Sequence, residues 1–103
     1  MPWIYLLLAG LLEIVWAFAM KQTAGFTRLW PTAIMAVSMA GSFGLLALAM
    51  RSLPLGTAYV IWTGIGAVGA FAVGAVFLGE AVTPMRLMAA ALIVSGMIAM
   101  KLA

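Results

Sequence analysis

Apolar positions fall into four long runs, each ended by a short break of charged, glycine or proline residues. The first run covers residues 3–20. A polar stretch from Lys21 to Arg28 follows, with Gly25 as a breaker and Pro31 placed to open the next helix. The second run spans about 32–50 and ends in the turn Arg51-Ser52-Leu53-Pro54-Leu55-Gly56. The third spans about 57–78 and ends at Gly79-Glu80-Ala81-Val82-Thr83-Pro84; the fourth spans about 85–100 and is closed by Lys101. The first three runs come close to the ~20 residues that ~30 Å of hydrocarbon requires. The pattern therefore predicts an all-α membrane protein with four transmembrane helices in a single domain, 1–103.

The fourth run is the short one. Its apolar core, 87–100, would reach only about 21 Å at about 1.5 Å per residue. A short span is accommodated by oligomerising or by thinning the bilayer. Ala89, Ala90, Ala91, Ser95 and Gly96 are small residues that let helices approach closely, which fits a dimer contact or packing within the chain equally well.

Composition sharpens the class. Of 103 residues, 68% are hydrophobic and 7% charged, more apolar surface than a soluble domain of this size can bury. The sequence has no cysteine and no histidine, which removes disulfides, thiolate metal sites and the commonest metal ligand; no metal and no cofactor is expected. The net charge of +3 comes from single basic residues at span ends, an anchoring pattern and not a nucleic-acid patch. Arg51 and Lys101 fall on one side of the membrane, and Lys21, Arg28 and Arg86 on the other. So small a difference gives no firm orientation under the positive-inside rule. It also allows insertion both ways, with opposite copies pairing as an antiparallel, dual-topology homodimer of eight helices, since four short helices enclose a solvated path poorly.

Against this background Glu13 stands out as the one acid inside a span, because Glu80 lies in a loop. An acidic side chain at a helix centre costs roughly +2.5 to +3.5 kcal/mol on insertion scales, and such residues mark proton or cation chemistry. The bland reading is a protonated packing group. Leu6, Ala9, Gly10, Glu13, Trp16, Ala17 and Met20 share one helix face, so small residues leave room beside the carboxylate and Trp16 adds an aromatic wall with one N–H donor. In span three, Tyr59, Trp62, Thr63, Gly66, Ala70 and Phe77 form a stripe. Tyr59 and Trp62 suit either a cation pocket or an interfacial aromatic belt. Ser38 and Ser42 are the polar candidates of span two, although a buried serine usually bonds its own helix backbone.

Residues 64–69 match a GxGxxG dinucleotide fingerprint, but no strand precedes them and they lie within a span. Gly10, Gly64, Gly66 and Gly69 read instead as positions of close helix contact, with a bend in span three as a further option. With no Cys, no His and no second intramembrane acid, there is no nucleophile–base pair for an enzyme.

The motifs "AGLLEIVWAFAMK", "GFTRLWP" and "LPLGTAYVIWTGIGA" together make the chain resemble the small multidrug resistance family over nearly its whole length, and in particular the family's guanidinium-exporting branch. The resemblance implies an antiparallel homodimer in a bacterial inner membrane that exports guanidinium and small substituted guanidiniums in exchange for protons. It assigns substrate and proton binding to Glu13 of both subunits and orienting roles to Trp16, Ser42, Tyr59 and Trp62. It places the main dimer contact on span four, where Ala91, Ser95 and Gly96 are the candidates. Two other readings remain open at this level: an exporter of quaternary ammonium and other lipophilic cations, and a non-transporting accessory membrane protein. Lys101 is expected to snorkel toward the interface.

Overall fold

The computed structural model describes residues 2–23, 25 and 27–103; Ala24 and Phe26, the latter part of the GFTRLWP loop, lie outside the described residues. Four helices run through it: α1 (Pro2–Gln22), α2 (Leu29–Met50), α3 (Leu55–Phe77) and α4 (Pro84–Leu102). All four are long and apolar enough to cross a membrane.

Two helix ends differ from the expected ones for clear reasons. Pro31 does not open α2; the helix starts two residues earlier, at Leu29, and Pro31 sits in its first turn. A missing amide costs nothing there, because first-turn N–H groups have no intrahelical partner. The fourth helix is 19 residues long, about 28 Å at about 1.5 Å per residue, so only its apolar run is short. Thr83 caps it, its hydroxyl accepting from the Arg86 amide at 3.2 Å, and Pro84 supplies the preset first position. At the end of α3, the Leu78 and Glu80 amides both donate to the Gly74 carbonyl at 3.1 Å. Gly79 makes that turn possible with φ +67°, a left-handed value that side chains resist.

The packing is uneven. Helix α1 lies against both α2 and α3, α3 carries α4, and α2 barely touches α3. The Cα body measures 41 × 34 × 16 Å, flattened along one direction. Its core gathers Leu6 and Ala9 of α1, Leu46 and Ala49 of α2, and Ala58, Ile61 and Trp62 of α3. Lipid tails are as apolar as these side chains, so the contacts are held by close packing and not by escape from water. That explains why alanines are among the fully buried residues.

Helix α4 buries none of its residues. Ala91, Ser95 and Gly96 are all exposed, and the Ser95 hydroxyl donates to the Ala91 carbonyl of its own helix at 2.8 Å. Lys101 does more than snorkel: its Nζ sits 5.1 Å from the centre of the Trp3 ring, tying the end of α4 to the start of α1. Helix α3 is continuous from Leu55 to Phe77, and its glycines do not interrupt it.

They serve contact instead. A Cβ added at Gly64 would meet Met97 of α4, one at Gly69 would meet Ile14 of α1, and one at Gly10 would lie 2.7 Å from Ile65 Cβ. Replacing Gly10 with leucine should therefore force α1 and α3 apart. We expect a loss of roughly 1–3 kcal/mol, the usual range for overpacking, read as a lower thermal unfolding midpoint in detergent.

Candidate functional site

Glu13 stands midway along α1 on the side facing α3. Gly66 is what allows it there. A Cβ at position 66 would run into the Glu13 carboxyl group, so any larger residue would displace the acid. The side chain as a whole is half-buried, yet Glu13 Oε1 is fully buried and has no hydrogen-bond partner among the described residues. One turn further along α1, the Trp16 indole N–H is also buried and without a partner among the described residues. An acceptor and a donor thus stand unsatisfied on the same helix face. Buried polar groups are almost always paired, and those that are not call for an explanation, such as an incoming ligand or a partner surface.

Just below the carboxylate the polar groups are fully engaged. Trp62 Nε1 donates to Ser42 Oγ at 2.9 Å, and the Ser42 hydroxyl donates to the Ala9 carbonyl at 2.6 Å. This relay crosses from α3 through α2 to α1. It ends on the carbonyl one turn before Glu13, the one that accepts the Glu13 amide in a regular helix. Ser42 therefore departs from the usual behaviour of a buried serine: its hydroxyl links three helices and leaves its own backbone alone. Ser38 is also buried.

Aromatic rings line the same region. Trp16 meets Phe43 edge-on with centroids 6.4 Å apart, Phe43 lies 5.8 Å from Trp62, and Trp62 lies 5.5 Å from Tyr59. The four rings make a continuous path across α1, α2 and α3. Phe43 was not among the residues picked from the sequence; its only signal there is its position next to Ser42.

The expected stripe on α3 divides in two. Trp62 is 6% exposed and Gly66 is buried, and both face inward. Tyr59 is 51% exposed and, with Thr63, lines a groove of about 460 Å³ between α3 and α4 together with Gly64, Gly96 and Met97. The structure thus brings Ser42 and Trp62 into direct contact and sets Gly66 under Glu13. It leaves Tyr59 one ring removed and places the small residues of α4 apart from the acid. An apolar cavity of about 390 Å³, lined by Ile14, Phe18, Ile34 and Phe77 among others, lies toward the loop end of α1, α2 and α3, and Glu13 lines neither space. Among the described residues no group of His, Cys, Asp or Glu could hold a metal ion.

Comparison with known proteins identifies the family. The family model described as "Small Multidrug Resistance protein" matches residues 1–93. The chain is 59% identical over 102 residues to a guanidinium exporter of Escherichia coli (strain K12), covering 99% of this chain and 97% of that one. It is 56% identical, with the same coverage, to guanidinium exporters of Citrobacter freundii and Salmonella typhimurium.

Replacing Ser42 with alanine would leave the Trp62 N–H buried without an acceptor. A cost of roughly 1–3 kcal/mol is expected. Thermal unfolding should report it, together with a changed Trp62 indole N–H resonance in NMR spectra.

Proposed function

The chain belongs to the Small Multidrug Resistance protein family, and on that premise we propose that it is a proton-coupled antiporter exporting guanidinium and small substituted guanidinium cations. It is a multi-pass protein of the bacterial inner membrane. The observation that carries the proposal is the buried Glu13 oxygen without a donor. Guanidinium is planar, permanently cationic and made only of donors, and its N–H groups match a carboxylate as a two-pronged fork. The connected rings of Trp16, Phe43 and Trp62, which begin one turn along α1 from the acid, offer π faces to the same cation. The named activity of the Escherichia coli, Citrobacter and Salmonella relatives supports this choice of substrate.

The Trp16 N–H adds a constraint. It is a donor, and so is every group on guanidinium, so the indole needs an acceptor other than the substrate. In our reading that acceptor is a carboxylate of the binding site, which contains Glu13 of both subunits of an antiparallel homodimer. Helix α4 buries none of its residues, and its uncovered face with Ala91, Ser95 and Gly96 suits a subunit contact. The nearly even split of basic residues between the two ends is compatible with opposite insertion.

Exchange then follows from competition. Each Glu13 carboxylate holds either a proton or part of a guanidinium ion. A site filled by one or the other can reorient, whereas an empty site carrying two charges resists passage through low-dielectric surroundings. The two carboxylates titrate as a pair, and their protons belong to the pair. Ser42, Trp62 and Tyr59 hold the geometry beneath the acid and, in this scheme, take no proton themselves. No covalent step is required, and the chain is a carrier, not an enzyme.

Glu13→Gln keeps the size of the side chain and removes its charge. We expect it to abolish both guanidinium binding and pH-driven guanidinium transport in proteoliposomes while the dimer still forms by crosslinking. Retained pH-driven transport would refute the role given to Glu13. Larger tetraalkylammonium currents than guanidinium currents in the wild type would assign the protein to lipophilic cations instead.

A further inference from the structure

The α1–α3 seam continues past Glu13 as a line of small residues. Glu13 meets Gly66 at one level. One turn along both helices stand Ala17 and Ala70, and one turn further Lys21 and Gly74. With so little side-chain volume at 17, 70 and 74, the helices leave a cavity of about 190 Å³, lined by Ala17, Phe18, Lys21, Ala70, Gly74 and Glu80 among others. Its lining runs from Ala17 and Ala70, one turn from Glu13 and Gly66, to Glu80 in the turn after α3; Glu13 itself does not line it. Water occupies about 30 Å³ per molecule in the liquid, so the space holds several.

Its outer end is chemically distinct. Glu80 and Lys21 are the charged groups that line it, one from the α3–α4 turn and one from the last turn of α1, while α2 and α4 contribute no residue. The Glu80 carboxylate lies directly over Gly74, and its position is fixed by the turn in which the Glu80 amide donates to the Gly74 carbonyl at 3.1 Å. Arg86 lies elsewhere: its guanidinium donates to the Ala81 carbonyl at 3.2 Å and it lines a separate crevice between α3 and α4.

We infer that this seam is a water-filled proton path to Glu13, with Glu80 as its outer acid. The inference rests on the antiport reading above. Glu80 takes a proton from water at the membrane face and passes it to water in the seam. The proton reaches the Glu13 carboxylate through that water, and Glu80 is ionised again; release runs in reverse. The two charges at the mouth favour a proton over guanidinium. Lys21 offsets the field of Glu80, so a whole cation gains little by residing there. A proton moves by exchanging bonds between waters and needs no residence site. The substrate would then use a different route from the proton.

The test separates the two routes in proteoliposomes. Glu80→Gln changes an exposed turn residue, and Ala70→Leu fills the seam. Two modes are measured for each: guanidinium transport driven by a pH gradient, and guanidinium–guanidinium exchange at equal pH, which moves no proton. The expected result is a several-fold slower pH-driven rate in both variants with unchanged self-exchange. A wild-type pH-driven rate in Glu80→Gln overturns the path, whatever Ala70→Leu does, and so does equal loss of both modes. A wild-type protein that shows self-exchange but no pH-driven transport refutes the antiport reading itself, which keeps the two failures distinct.

Discussion

Glu13 Oε1 is buried in a membrane-spanning helix and has no hydrogen-bond donor among the described residues. Much of the arrangement around it follows from that constraint. The acid must be supplied with a proton, a cation or a partner subunit, and each of these is mobile. A structural carboxylate would have been satisfied by fixed donors, as Ser42 is satisfied by its place between Trp62 and Ala9. The fold thus contrasts a closed polar relay with an open acid one turn above it. The relay fixes three helices relative to one another, and the acid is left without a fixed donor among the described residues.

The glycines of α3 make this contrast possible. Gly66 admits the carboxyl group between α1 and α3, Gly69 admits Ile14 beside it, and Gly64 on another side admits Met97 of α4. The same run that resembles a nucleotide fingerprint therefore packs against two neighbours at once. Backbone close to backbone is how helices associate where lipid offers no hydrophobic drive. The result is a flattened scaffold in which α4 rests on α3 and is tied to α1 by the Lys101–Trp3 contact.

Much of this was readable in the sequence, for physical reasons. Run lengths and the punctuation at Gly25, Pro54, Gly79 and Pro84 delimit the helices because breakers act locally. Glu13 was legible because an acid in a span is costly wherever its neighbours lie. The partner of each helix face was less legible. These helices are apolar nearly all round, so no polar side tells which stripe meets which neighbour. Hence Tyr59 and Trp62, grouped by spacing, end up facing different surroundings. Ser42 stood out as a polar candidate in span two, but its acceptor, the Ala9 carbonyl, is a backbone group to which no sequence motif points. Phe43 completes the aromatic path only because α1 and α3 both come against α2 at that level, a fact of packing that its own neighbours in the chain do not encode.

The central claim is that protons and guanidinium exclude one another at Glu13. Calorimetric titration of the purified protein with guanidinium, repeated in buffers of different ionisation enthalpy, tests it most directly because it counts the protons displaced by each bound cation. The expected result is proton release on binding at acidic pH that shrinks steadily as the pH rises. Guanidinium binding with no proton release at any pH would contradict it.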